Sequence, residues 1–250
     1  MVFSLADSSV HGILLDIEGT ISPIDFVYRV LFPFARRHLN AYLKANATSE
    51  ELSRDLSLLR EEYQKDVAEK LEPPEWVEKP FEAQIESIQR YVVWLMDRDR
   101  KSTGLKSLQG KIWQQGYLRG ELKSAVFPDV APALERWKEK NIDVRIFSSG
   151  SVLAQKLLFA HTEYGDLTKF LRGFFDTTLG PKVSQQSYRR IAQEFHLPAS
   201  EIVFVSDATP ELDAAKNAGM QTLLCVRPGN PPQPDQLNRS AIRSFSDIVV

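Results

Sequence analysis

The stretch GILLDIEGT, Gly12 to Thr20, runs three aliphatic side chains directly into two acids spaced one residue apart, Asp16 and Glu18. A run that apolar suits a strand covered on both faces. Paired carboxylates at its end repel one another and are costly to desolvate. A solvated turn would hold two acids at little cost, but the strand before them is too apolar for a casual edge. The acids therefore read as placed for chemistry.

Working outward, the chain after Ala125 alternates β-rich apolar runs with helical stretches: DVRIFSS, SVLAQKLLFAH, GFFDTTLG, VSQQSYRRIAQEF, EIVFVSD, TPELDAAKNAG and TLLCVR. Such alternation means a parallel sheet covered by helices, and HGILLD is one more strand of the same kind at the other end of the chain. Thr209 reads as the N-cap of the helix after Asp207, with Pro210 in its first turn and Gly219 past its end. Ser151 reads as another N-cap. Between these parts the β pattern vanishes. FVYRVLFPFARRHLNAYLKA, SEELSRDLSLLREEYQKD and FEAQIESIQRYVVWLMDRD carry apolar residues at three and four spacing, which predicts amphipathic helices, with KLEPPEWVEKP a loop and RPGNPPQPDQ a turn-rich exit from the last strand. The expected architecture is an α/β core of residues 1–24 and 124–250, a doubly wound parallel sheet, interrupted by an inserted helical cap over 25–123. Trp94, Met96 and Trp113 are expected to pack the insert's helices.

Composition bounds the class of protein. With 250 residues, 43% hydrophobic and 26% charged, the chain can build one sizeable core and a smaller unit. Lys plus Arg at 31 against Asp plus Glu at 33 leaves a net charge of −2, so no basic field points to nucleic acid or to an anionic membrane. The default partner is a small molecule, and the lack of a sticky apolar stripe reads as a monomer. Cys225 is the only cysteine, which excludes an intrachain disulfide and fits a reducing compartment, with Cys225 itself a core residue. MVFSLADSSVHG has no signal-peptide pattern, and no run approaches the ~18 apolar residues of a spanning helix. The expectation is a cytoplasmic protein, entry to a nucleus left open.

In an open parallel sheet, ligands bind beyond the carboxyl ends of the strands, where strand order reverses. Every unusual polar group falls at such an end: Asp16 and Glu18, then Ser148, Ser149 and Gly150, then Lys182, then Ser206 and Asp207. Mg²⁺ takes one or two carboxylates and completes its octahedron with waters and phosphate, and Asp16 with Asp207 would supply them. A cation there also screens an anionic nucleophile from a phosphate, so Asp16 can attack phosphorus and form an aspartyl phosphate. Glu18 can protonate the leaving oxygen and later activate water. Lys182 would neutralise phosphate charge, while the Ser148 hydroxyl and the Ser149 N–H bind its oxygens. A cation ahead of a helix opposes the macrodipole, so Lys182 calls for a reason of this kind.

DIEGT, FSSGS, the lysine before a helix and VSDATPELDAA resemble the four motifs of the haloacid dehalogenase superfamily, whose common members are Mg²⁺-dependent aspartyl phosphatases. Glu in place of the usual second Asp, together with LFPFARRH, FSSGSVLAQKLLF, GPKVSQQSY and VRPGN, is similar to the enolase-phosphatase family of methionine salvage. The resemblance implies a haloacid dehalogenase-like core and a bifunctional enzyme. It would enolise 2,3-diketo-5-methylthiopentyl-1-phosphate and then remove the phosphate, leaving the acireductone. The residues implied are Asp16, Glu18 and Lys182 for catalysis, Ser148, Ser149 and Lys182 for the phosphate, and Asp16, Glu18 and Asp207 for the metal. Glu18 would reach the ion by side chain or backbone carbonyl, and it is the economical candidate for the enolising base. Asp25, Arg29 and Arg227 are weaker pocket candidates.

A general sugar-phosphate phosphatase would use the same core motifs. A non-catalytic phosphoacceptor domain is a further alternative, but it would carry its acid pair on the first strand and its phosphorylated Asp on a middle one, without the insert. A dehalogenase would leave Glu18 and Asp207 without a task. The four histidines, His11, His38, His161 and His196, lack ligand spacing and read as surface or packing residues.

Overall fold

The computed structural model describes residues 2–100, 102–233 and 236–250. Pro234 and Asp235 of the RPGNPPQPDQ exit lie outside the described residues. The chain divides into two compact units, Met1–Val27 with Lys123–Val250, and Tyr28–Leu122.

The first unit is an α/β layer structure. In chain order its elements are β1 (Phe3–Ser4), β2 (Gly12–Leu15), α1 (Ile24–Phe26) and, after the helices of the second unit, α6 (Val130–Glu139), β3 (Asp143–Phe147), α7 (Val152–Ala160) and β4 (Gly173–Phe175). There follow α8 (Gln185–Phe195), β5 (Ile202–Ser206), α9 (Thr209–Asn217), β6 (Gln221–Cys225), β7 (Ala241–Ile242) and β8 (Ile248–Val249). The six-stranded sheet runs β4-β3-β2-β5-β6-β7, every pairing parallel. From β2 the chain builds β3 and β4 on one side and β5 to β7 on the other, so strand order reverses at β2. Gly12 lies level with Asp143 on β3 and with Ile202 on β5, which brings the carboxyl ends of the three strands to one edge.

The strands are apolar because both faces are covered. Every residue of β2 and of β5 is buried. Leu14, Phe147 and Phe204 share one cluster with Tyr188, Ile191 and Phe195, which recur at three and four spacing on α8. Gly12 is required by close approach: a Cβ there would lie 2.9 Å from the Phe195 ring.

The second unit is helical, with α2 (Phe32–Ala45), α3 (Glu50–Ala68), α4 (Phe81–Asp97) and α5 (Thr103–Leu118). Ion pairs and hydrogen bonds to buried carboxylates pin its helices. Asp66 accepts from the Tyr91 hydroxyl at 2.7 Å and from Arg100 at 2.8 Å, and Asp55 from Ser107 and Lys111, both at 2.7 Å. Trp94 and Trp113 are buried, the Trp113 indole donating to the Leu31 carbonyl at 2.8 Å, while Met96 is half-buried.

Two local expectations are corrected, and three short strands escaped the sequence pattern. The helical stretch from Phe26 is not uniform: Val27–Leu31 form a π-helical turn before α2. Pro33 has no N–H to give the carbonyl four residues back, so a regular α-helix through it is not available. Thr209 is the first residue of α9 and not its N-cap. Ala208 holds that position with no capping side chain, and the Ser206 hydroxyl accepts from the Ala208 N–H at 3.1 Å instead. Strands β1, β7 and β8 are two residues each, too short to carry a period-two pattern; β1 pairs with β8. Ser151 caps α7 as expected, accepting from the Ala154 N–H at 3.3 Å.

Arg227, after β6, is held in a buried clasp. Its Nη1 donates to both Asp129 oxygens, at 3.0 and 2.8 Å, and to the Arg243 carbonyl at 3.1 Å. The guanidinium stacks against Phe127 at 4.5 Å and Phe245 at 4.8 Å. Asp129 also accepts from the Ser244 hydroxyl and the Phe245 N–H. Removing one partner of a buried pair strands the other charge. Asp129→Ala is expected to cost about 3–5 kcal/mol in chemical denaturation; a loss under about 1 kcal/mol would mean that Arg227 finds other compensation.

Candidate active site at the strand ends

The β2 ladder continues one residue past the strand, with the Asp16 N–H donating to the Val205 carbonyl at 3.0 Å, and this fixes the Asp16 backbone against β5. The chain then turns tightly. The Ile17 carbonyl accepts from the N–H groups of Thr20, Ile21 and Ser22, and Glu18 bridges to Ser22. Gly19 takes φ of +72°, and a Cβ there would meet Asp207 Oδ2 at 2.5 Å, so no other residue fits without moving that carboxylate. The turn is tied down from outside: the Asn230 amide donates to the Gly19 carbonyl at 2.9 Å and Arg227 Nε to the Thr20 carbonyl at 3.0 Å. The weaker candidate Arg227 thus braces this turn; Asp25 and Arg29 are exposed.

Lys182 arrives from the loop after β4. Helix α8 begins only at Gln185, so the macrodipole is not what Lys182 answers to. The buried Tyr188 hydroxyl donates to the Lys182 carbonyl at 2.7 Å, and the Ser187 hydroxyl to the Pro181 carbonyl at 2.8 Å, which aims the side chain inward. Its ammonium lies 2.5 Å from Asp16 Oδ1 and 2.7 Å from Glu211 Oε2, with only 7% of the side chain exposed. The two carboxylates outweigh burial and hold its pKa above the usual lysine value.

Glu211 was not singled out from the sequence. It lies four residues after Asp207 in the first turn of α9, where an acid also suits the helix dipole, and that ordinary reading hides it. The D-x-x-x-E spacing after a strand was the available signal. Its carboxylate also accepts from the Ser206 hydroxyl at 3.0 Å. Burial pushes the Glu211 carboxyl up to about 7, with Asp16 adding to the rise and Lys182 opposing it. Burial likewise pushes the Asp207 carboxyl up to about 7, helped by Asp16 and Glu211.

The structure thus brings Asp16, Lys182 and Asp207 together. Ser148 and Ser149 follow β3, the strand beside β2. The buried Ser148 hydroxyl accepts from the Gly150 N–H at 3.2 Å, which leaves its own proton to donate, and Ser149 is half-buried. Glu18 is half-buried on the turn.

Three carboxylates, Asp16, Asp207 and Glu211, gather around one ammonium, and that ammonium is used by the other two. Asp207 has no cation within ion-pair distance among the described residues. No three His, Cys, Asp or Glu side chains among those residues form a metal cage on their own. Two carboxylates with surplus negative charge are nevertheless the donor set that a hard divalent cation takes when waters and a phosphate complete its shell.

The sequence pattern of the haloacid dehalogenase-like hydrolases matches residues 10–219. The chain belongs to that family. It is 49% identical over 222 residues to enolase-phosphatase E1 of Synechococcus elongatus, covering 89% of this chain and 91% of the relative. With the enzyme of the same name from Pseudomonas aeruginosa it shares 43% over 242 residues, covering 97% and 99%. A probable bifunctional methylthioribulose-1-phosphate dehydratase/enolase-phosphatase E1 of Vitis vinifera is 46% identical over 248 residues, which make up 48% of that longer protein. Among solved structures, the UTR4 protein of Saccharomyces cerevisiae superposes with a TM-score of 0.76 at 33% identity, covering 94% of this chain and 98% of its own. CbbY of Rhodobacter sphaeroides in complex with phosphate, at 17% identity and a TM-score of 0.55, shares the fold.

For this hydrolase the raised carboxyl of Asp207 has a thermodynamic consequence. An acid whose folded pKa lies above its unfolded value binds protons more readily when folded, so its contribution to stability falls as pH rises through the window. With chelator present, the protein should lose stability between about pH 4 and pH 7 on account of Asp207. Asp207→Asn should raise the melting temperature at pH 8 by several degrees and at pH 5 by clearly less. Equal shifts at both pH values would separate the effect from ionisation.

Proposed function

We infer that the protein is an enolase-phosphatase, converting 2,3-diketo-5-methylthiopentyl-1-phosphate through its enol phosphate to the acireductone and inorganic phosphate. The observation that carries this reading is Asp16 at the end of the central strand, held by Lys182 beside an uncompensated Asp207, in a chain nearly half identical to named enolase-phosphatases.

In the phosphatase half, an Asp16 oxygen bonds to phosphorus as the ester P–O bond breaks, and Glu18 gives its proton to the leaving oxygen. Water then attacks phosphorus and yields a proton to Glu18. The bond to Asp16 breaks with its electron pair returning to the carboxylate. Lys182, kept protonated by Asp16 and Glu211, offsets phosphate charge, while the Ser148 hydroxyl and the Ser149 N–H take phosphate oxygens. In the enolase half, Glu18 removes a proton from the carbon that bears the phosphate ester. That C–H electron pair becomes the C=C bond, and the adjacent carbonyl oxygen gains a proton from solvent.

Mg²⁺ is the ion this reading requires, held by Asp16 and Asp207 with a contribution from the Glu18 position. When bound it offsets the charge between nucleophile and phosphate and stabilises enolate oxygen.

Asp16→Asn should cut phosphate release more than a hundredfold while circular dichroism stays unchanged; smaller losses would move the nucleophile elsewhere. Glu18→Gln should suppress enolisation and hydrolysis together, each by ~10²–10⁴-fold. Stopped-flow absorbance of the enol phosphate, with phosphate measured on the same samples, checks this. Accumulation of the enol phosphate would give the enolising base to another residue. Phosphate release by the wild type without the enediol chromophore would reduce the activity to that of a general phosphatase.

A further inference from the structure

Asn230, in the VRPGN stretch, has one arm committed and one arm without a partner. Its Nδ2 faces two carbonyl oxygens, that of Gly19 at 2.9 Å and that of Cys225 at 3.4 Å. Only the nitrogen of an amide can face two acceptors, so the orientation of the group is decided. Its Oδ1 is consequently turned the other way. That atom is buried and accepts no hydrogen bond among the described residues, which is the costly state for an amide oxygen.

Gly19 shows where the oxygen points. A Cβ on Gly19 would lie 2.5 Å from Asp207 Oδ2 and 3.0 Å from Asn230 Oδ1. The two oxygens therefore flank the same face of one glycine, within about 5.5 Å of each other by those two distances. Both are acceptors. The Lys182 ammonium is taken by Asp16 and Glu211. Two acceptors converging without a donor call for a group that brings hydrogens.

We propose that Asn230 is a positioning residue of the cation site: its Oδ1 accepts a hydrogen bond from a water bound to the divalent ion at Asp16 and Asp207, while its Nδ2 locks the Gly19 turn that carries Glu18. This rests on the reading of a divalent cation at that site. Mg²⁺ keeps several of its waters when it binds protein, and groups that accept from metal-bound water orient the shell around the ion. One side chain thereby couples the turn after β2 to the ion's outer shell, and neither half needs Asn230 to touch substrate.

The test uses Mg²⁺ alone as the probe, with binding read by calorimetry and by the rise in melting temperature across a Mg²⁺ titration. The proteins are the wild type, Asp207→Asn, Asn230→Leu, which keeps the volume and loses the acceptor, and Asn230→Asp, which keeps an oxygen at the site. Asn230→Leu should weaken Mg²⁺ binding by roughly tenfold, the scale on which outer-shell partners of metal sites act. Asn230→Asp should bind within threefold of the wild type or more tightly. A merely structural role would lower the melting temperature of both variants in chelator and leave the Mg²⁺ affinity alone. Affinity of Asn230→Leu within twofold of the wild type, or an equal loss in both Asn230 variants, would overturn the proposal. If Asn230→Leu fails to fold, Asn230→Ala, which also removes the acceptor, takes its place under the same criteria. No Mg²⁺ binding by the wild type, with Asp207→Asn indistinguishable from it, would instead remove the cation from the proposed function.

Discussion

The Lys182 ammonium, buried between the carboxylates of Asp16 and Glu211, ties together the end of β2, the loop after β4 and the first turn of α9. Buried ion pairs contribute little net stability once desolvation is counted. Their value here is geometric, because the ammonium can satisfy both acids only if all three segments arrive in register. Tyr188 anchors the Lys182 backbone from α8, and the sheet ladder anchors Asp16. The charged cluster thus inherits the rigidity of the apolar layers beneath it.

That cluster is unbalanced by design of the fold. One ammonium serves two carboxylates, and Asp207 is left against them with its carboxyl raised. Surplus negative charge of this kind is what the proposed cation would offset, since charge that destabilises the free protein is charge that can bind an ion. The clasp of Arg227 by Asp129 shows the opposite arrangement a short way along the chain: one cation matched to one carboxylate, stacked between Phe127 and Phe245, that serves as a brace. The same residue then lends its Nε to the Thr20 carbonyl, so the brace supports the turn on which Glu18 stands.

Much of this was legible from the chain alone. Parallel strands covered on both faces must be apolar throughout, and β2 and β5 stand out for that reason. Asp16, Ser148, Lys182 and Asp207 break the pattern at strand ends, which made them visible as site candidates. Glu211 and Asn230 were missed because each also fits a bland local reading, an acid in a first helical turn and an asparagine in a Pro-Gly turn. Thr209 was given a capping part by its type, yet Ser206 reaches the Ala208 N–H and Thr209 is drawn into the helix.

The sequence by itself determined the fold class, the family and the acids that break the strand pattern, because burial on both faces and the chemistry of charge at strand ends are local constraints written residue by residue. Only the tertiary structure decided which charges neutralise one another. Lys182 and Asp16 are 166 positions apart, and whether the lysine meets Asp16, Glu211 or Asp207 depends on strand order and on where the side chains of α8 and α9 point. No local pattern encodes that pairing. The same holds for Asn230, whose amide is oriented by a carbonyl 211 positions away: hydrogen-bond direction belongs to the assembled site, and it is there that an oxygen without a partner acquires meaning.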